Sequence, residues 1–332
     1  MAGLAPLCKH CANVPLRDPR SGNGRFQYWP LGSARDVKNR DCPLCRVLVT
    51  VYETTRQTGA WDDTQPLSRT SSHVMFYWED NLGPGGRAAF AMYPGGGNIS
   101  ICLAQPTSQR LGPAPRPDPD DEFFLPTVSA EFDVGRLRSW ITACTEIHTS
   151  GDCSVQPGSF SESFPELDVL RFIDVESSAI VELREIPRYI TLSYVWGETS
   201  NVRLTTISHT ALLMPGSMEK AGILIPRTIR DAIDLTRRLG VQYLWVDSLC
   251  LIQNDPADVS RGVGVMDEIY ERSWLTIIAA SGHNANAGLP GIAEGSRSAT
   301  TAIPITDDLS VGLYISLDWL LQCSFYETRA WT

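Results

Sequence analysis

Two segments constrain this chain more than any other: YITLSYVWGE, from Tyr189 to Glu198, and VQYLWVDSLCLIQND, from Val241 to Asp255. Each is a near-continuous apolar and β-branched run that ends in polar residues. A strand packed on both faces has that composition, because neither face meets water. In open α/β sheets, ligands sit beyond the carboxyl ends of such strands. Ser193, Tyr194, Trp196 and Gly197 on the first segment, with Asp247, Ser248 and Cys250 on the second, are therefore candidates for one shared rim. A shared rim requires the two segments to leave neighbouring parallel strands side by side.

The pattern around these runs is alternating. Ile229, Ala232, Ile233 and Thr236 recur at helical spacing between them. Pro226 suits a first helical turn, Arg237 and Arg238 favour the negative end of the helix dipole, and Gly240 fits the position just beyond it. Strand (188–196), helix, strand (241–247), helix, strand (274–280) is the rhythm of βαβ units and a parallel sheet. The second helix opens on Asp255-Pro256, a good N-cap and first-turn pair. Within it, Gly262 and Gly264 each cost about 1 kcal/mol relative to Ala. Upstream, 132–148 reads as a helix with Trp140, Cys144 and His148 on one face. A strand pair follows at 169–174 and 179–183.

The amino-terminal part is different in kind. Cys8-x2-Cys11 and Cys42-x2-Cys45 have knuckle spacing, and four thiolates suit a tetrahedral structural Zn²⁺. The bland alternative is four reduced cysteines in a loosely folded arm. Cys144, His148 and Cys153 form a weaker second cluster, more plainly read as a packed face anchored by Trp140. Residues 56–130 carry Pro/Gly-rich turns around short strands at 73–78 and 99–104, with Pro94-Gly95-Gly96-Gly97 as a hairpin turn. The expected division is thus a paired-cysteine region (1–55), an irregular region (56–130), a helix with a strand pair (131–185) and an α/β domain (186–332).

Composition excludes several classes. Of 332 residues, 43% are hydrophobic and the net charge is −10, a poor match to the basic patches that phosphate backbones require. No run approaches the ~18 apolar residues of a membrane span. The first residues, MAGLAPLCKHCANVPLRD, lack a signal-peptide apolar core. A soluble, cytoplasmic protein is expected. Nine cysteines, an odd number, fit metal ligands and core thiols better than a disulfide framework.

One family gathers these motifs. Tyr189-x-x-Leu192-Ser193-Tyr194-x-Trp196-Gly197 is followed by Ile225-Pro226-x-Thr228-Ile229-x-x-Ala232-Ile233. Then come Tyr243-Leu244-Trp245-Val246-Asp247-Ser248-Leu249-Cys250-Leu251-Ile252-Gln253, Met266-x-x-Ile269-Tyr270, Ala279-Ala280 and Gly288-Leu289. In order and spacing the series resembles the heterokaryon incompatibility (HET) domain of filamentous fungi, over roughly 186–332. The resemblance implies non-self recognition and regulated cell death, through self-association or a protein partner. It also implies a flavodoxin-like fold related to the TIR domain, some of whose relatives hydrolyse NAD. Breaking the nicotinamide–ribose bond develops positive charge that one carboxylate stabilises.

The chain departs from the family twice. Gly262 stands where family members carry a helix Glu, leaving Asp258 and Glu268 as weaker candidate carboxylates, with Asp267 beside the latter. The sequence also stops at Arg329-Ala330-Trp331-Thr332, the start of a longer family motif, as a truncated domain would. The sequence thus supports a signalling protein whose rim, at Ser193, Tyr194, Trp196, Gly197, Asp247 and Ser248, is a candidate nucleotide site. Each rim residue also has a plainer role: Gly197 as a tight turn, Trp196 as a core plug, Asp247 as a cap. The rivals are an NAD glycohydrolase and a non-catalytic zinc-binding adaptor.

Overall fold

The computed structural model describes residues 5–16, 27–57, 73–83, 87–93, 99–104, 124–125, 129–147, 159–197, 202–220, 222–298, 302–315, 317–322 and 324–328. The first strands are β1 (Gln27–Ser33), β2 (His73–Gly83), β3 (Arg87–Tyr93), β4 (Ile99–Ala104) and β5 (Phe124–Leu125). Next come β6 (Leu170–Asp174), β7 (Ala179–Leu183), β8 (Tyr189–Ser193), β9 (Tyr243–Trp245) and β10 (Leu275–Ile278), and last β11 (Ile303–Thr306) and β12 (Leu309–Ile315). The early helices are α1 (Ala34–Asn39), α2 (Pro43–Gln57), α3 (Val134–Ile147), α4 (Phe160–Ser163) and α5 (His209–Leu212). The later ones are α6 (Arg227–Leu239), α7 (Asp247–Cys250), α8 (Pro256–Gly264), α9 (Met266–Glu271) and α10 (Leu317–Gln322).

Two compact units share the chain: Met1–Ser129 with Ala299–Cys323, and Ala130–Ser298 with Ser324–Thr332. In the first, a sheet runs in the order β1-β2-β3-β4-β12-β11, with β5 pairing in parallel to β4. Ser33 and Asp36 start α1 with a reciprocal capping box, each side chain accepting the other's backbone N–H at 3.1 Å. In α2, Leu44, Val47, Leu48 and Val51 fall on one stripe and are buried with Leu31, Ile101, Ile305 and Val311. This core draws on both ends of the sequence. The units divide near the expected boundary at 130, but residues 299–323 return to the first unit, because β12 pairs along its length with β4.

The second unit holds a sheet of order β10-β8-β9-β6-β7. β8 pairs in parallel with both β9 and β10. β6 joins the other edge of β9 antiparallel, and β7 closes a hairpin on β6. The expectation of a parallel sheet is therefore corrected: the sheet is mixed, and the 169–183 strand pair belongs to it. The exposed edge of β9 needs a partner, and β6 supplies one whose side chains are buried on both faces. Ile173 joins one core with Ile190, Leu192, Leu244 and α6; Phe172 joins another with Tyr189, Trp245 and Ile269 of α9. The period-two alternation of burial thus places α6 and α9 on opposite faces of the sheet.

Local signals explain the helices. Gly240 takes the left-handed conformation (φ 77°) just after α6, and its N–H donates to the Arg237 carbonyl at 3.0 Å. Asp255 caps α8 by accepting from the N–H groups of Ala257 and Asp258. The single helix expected after Asp255 is split at Val265, directly after Gly264, into α8 and α9. β9 is also shorter than its apolar run, since the chain turns helical at Asp247.

Candidate functional site

The rim forms where β8 and β9 end. Trp196 Nε1–H donates to both carboxylate oxygens of Asp247, at 3.1 and 3.0 Å. The same carboxylate accepts the Ser248 N–H at 2.7 Å, and Gln253 Nε2 donates to the Asp247 carbonyl at 2.9 Å. Behind them the Tyr194 and Ser248 hydroxyls share a buried 2.8 Å hydrogen bond. Burial, and then the Asp247 charge, push the Tyr194 phenol above its ordinary range, so it stays protonated. Two rim residues of each segment, Trp196 with Asp247 and Tyr194 with Ser248, are therefore bonded across the rim. The sequence missed Arg203, whose guanidinium lies 5.0 Å from the Trp196 ring centroid.

The chain covers the other side of β8. Gly197 adopts φ 66°, and a Cβ there would fall 2.4 Å from the Cβ of Asn284. Glycine is thus required twice, by conformation and by close approach. The Ala285 N–H donates to the Trp196 carbonyl at 3.1 Å, and the Ala285 carbonyl accepts the Thr228 N–H at 3.0 Å. Strand order reverses at β8, whose neighbours β9 and β10 follow it in sequence. That is the switch point at which an open α/β sheet offers a crevice. Ser193, on that strand, donates to the Tyr326 hydroxyl at 3.5 Å, and His283 meets Phe325 edge-on at 4.5 Å. Nothing in the local sequence around 325–326 announces this return to the rim.

The candidate carboxylates have other duties. Arg171 Nη1 lies 3.0 and 2.9 Å from the two oxygens of Asp258, which also accepts the Ile252 N–H at 2.8 Å. Arg171 reaches Glu182 as well, at 2.9 Å, and His209 Nε2 approaches the same Glu182 oxygen at 3.0 Å. Opposing the effect of burial, Arg171 and His209 hold the Glu182 carboxyl below the usual range. Glu268 pairs with Arg272 at 2.8 Å, one helical turn away. At Gly262, the expected position of the helix Glu, a Cβ would lie 2.3 Å from Leu251 Cδ2. That position faces the apolar cluster around Trp245 and Leu251. Cys250 is fully buried, and burial pushes its thiol up to about 12, which leaves it inert at neutral pH.

The four amino-terminal cysteines come together in the first unit. The Sγ atoms of Cys8, Cys11, Cys42 and Cys45 all lie within 4.8 Å of one another. The Cys11–Cys45 and Cys8–Cys45 separations are 3.6 and 3.9 Å. A tetrahedron with metal–sulfur bonds of ~2.3 Å has edges of about 3.8 Å, so the donor set fits a metal. Cys42 immediately precedes α2 and Cys45 lies in its first turn, where the dipole favours anions. Hydrogen bonds from Cys11 above all, then from Cys42, Cys8 and Arg40, pull the Cys45 thiol down to about 6 against the effect of burial. Cys11, bonded to Cys45 and buried, is pushed up.

The second cluster, Cys144, His148 and Cys153, lies largely outside the described residues. Cys144 lies on α3, while His148 and Cys153 fall outside the described residues. Trp140 is 62% exposed and anchors no packed face; Val134 and Leu137 turn inward instead. Pro94 to Gly97 also lie outside the described residues, between the antiparallel β3 and β4. No described helix is long and apolar enough to cross a membrane.

Comparison with known proteins finds likeness over part of the chain. Residues 189–332 match the family model described as "Heterokaryon incompatibility protein (HET)". A segment of 102 residues is 24% identical to "Heterokaryon incompatibility protein 6, OR allele" of Neurospora crassa, covering 28% of this chain and 14% of that protein. No solved structure matches the chain.

Proposed function

We propose, from the match of residues 189–332 to the HET family model, that this protein signals in non-self recognition and regulated cell death of the heterokaryon incompatibility type. The observation that carries the proposal is the family match over the segment that contains β8, β9 and their rim residues. The α/β unit works by self-association or by binding a protein partner, within the cytoplasm. The fold we assign it is TIR-like, and the support is the strand order around β8 with helices on both faces. The rim at Ser193, Tyr194, Trp196, Gly197, Asp247 and Ser248 is its nucleotide-responsive face.

Binding suits this rim better than hydrolysis. A glycohydrolase needs a carboxylate free to stabilise an oxocarbenium ion. Asp258 is committed to Arg171 and Glu268 to Arg272. Gly262 supplies no side chain and faces Leu251. On this reading the rim binds a nucleotide without cleaving it, and incubation with NAD should release no nicotinamide above buffer.

The four-cysteine cluster holds structural Zn²⁺. Cys8, Cys11, Cys42 and Cys45 would each supply one thiolate, and a closed set of four leaves no position for catalysis. The metal would tie the amino-terminal segment to the start of α2. Expression of the chain in a compatible filamentous fungus tests the main proposal. Growth arrest or death of the expressing cells is the expected result, and harmless accumulation of folded protein would refute it.

A further inference from the structure

A groove in the second unit lies apart from the rim, and none of the rim residues lines it. It runs beside α6, between the 218–225 segment and residues 292–294, with a volume of about 670 Å³. Small-molecule sites typically occupy about 300–1,000 Å³. Its floor is apolar, from Ile173, Val175, Met218, Ile225 and Ile292. Its walls carry Lys220, Arg230, Arg237 and Arg238. The same walls carry four acids, Glu219, Asp231, Asp234 and Glu294, so the groove is charge-balanced in a chain of net charge −10.

The cations are aimed and only partly used. Arg230 donates to the Ile225 carbonyl at 3.2 Å, and Arg237 to the Val175 carbonyl at 2.8 Å. Neither makes an ion pair among the described residues, and each guanidinium keeps further N–H donors. Arg238 pairs with Asp234 at 2.7 Å. The Lys220 side chain makes no hydrogen bond or ion pair among the described residues. The acids in the wall are partly engaged, Asp234 by Arg238 within the groove itself. Glu219 accepts from the Ser178 hydroxyl at 2.6 Å, and Asp231 accepts the Leu289 N–H at 2.8 Å. Glu294 remains at the exposed margin.

We propose that this groove binds a phosphate ester carried on an apolar or planar body. Arg230, Arg237 and Lys220 would grip the phosphate while the isoleucine floor takes the body. A guanidinium already anchored through one carbonyl loses little further freedom on meeting an anion, and its planar fork matches phosphate oxygens. Free inorganic phosphate would forgo the floor, and a neutral ring would forgo the cations. The groove therefore discriminates by requiring both parts.

The test uses 4-methylumbelliferyl phosphate as probe, with 4-methylumbelliferone and inorganic phosphate as its two halves. Titration of the whole chain should give saturable binding of the ester, with each half at least about tenfold weaker. Bound ester should protect Lys220 from acetylation, read by mass spectrometry. Lys220→Gln removes a side chain that holds nothing in place, so the variant should keep the parent melting temperature and bind about tenfold more weakly. Arg230→Gln with Arg237→Gln should abolish binding. Absence of ester binding, an ester no tighter than its parent phenol, or binding that neither protects Lys220 nor responds to Lys220→Gln would overturn the proposal. None of these outcomes bears on growth arrest in a fungus, so the two readings fail separately.

Discussion

Asp258 and Gly262 sit one helical turn apart on α8, and the physics of each decides what that helix does. Asp258 neutralises a part-buried arginine and accepts a backbone N–H, so its removal leaves Arg171 largely desolvated beside Glu182 alone. Asp258→Ala should cost about 3–5 kcal/mol in chemical denaturation, the range for breaking a buried pair. A loss below about 1 kcal/mol would mean the pair is solvated. Gly262→Glu places a charged side chain against Leu251. The variant should lose at least about 1–3 kcal/mol from overpacking and gain no NAD cleavage. Unchanged stability with new nicotinamide release would show that the helix faces the rim after all. The sequence marked Gly262 as a departure from the family. It did not reveal that Leu251 fills the space, nor that Arg171 meets Asp258 across 87 residues of chain. Motif spacing carries no information about partners so distant.

At the scale of elements, legibility followed the strength of local signals. β8, β9 and α6 were readable because apolar runs, a helical stripe and Gly240 all agree. The 169–183 hairpin was readable as strands, but its place on the edge of β9 was not, since edge pairing leaves no local mark. β1 was missed altogether. It contains Pro30 and a register shift between Pro30 and Gly32, which argue against a strand and are tolerated here because β1 lies at the sheet edge. β12 follows the α/β segment in sequence but pairs with β4, some two hundred positions earlier, and β11 pairs with β12. Val311 on β12 is completely buried with Leu48 and Ile101. Val311→Asp should therefore abolish amide-exchange protection in β4 and β12 while β8, β9 and β10 keep theirs. Loss of protection in β8 with β4 intact would assign the hairpin to the wrong unit.

At the scale of the molecule, two units with separate cores make separate predictions. The first leans on its cysteine cluster, where Cys11, Cys42 and Cys45 are buried among apolar side chains of α2. Protein never exposed to chelator should contain about one zinc per chain. Chelation should then raise proteolytic sensitivity within residues 5–57, because metal binding energy is folding energy for such a segment. Zinc content near zero, or proteolysis indifferent to chelator, would leave the cluster as four packed thiols. The second unit leans on its sheet, and the proposed signalling role rests on the rim that the sheet builds. That rim was legible as two polar strand ends. Its covering by 283–285 and 325–326 was not, because loops that return over a sheet end carry no periodicity.

The most direct test of the account is a double-mutant cycle on Trp196→Phe and Asp247→Ala, read as unfolding free energies. Each variant removes one side of the indole–carboxylate contact joining β8 to β9. A coupling of about 1–3 kcal/mol between the two positions is predicted, the value of a hydrogen bond to a charged group. Additive effects, with no coupling, would mean that the two segments do not share one rim.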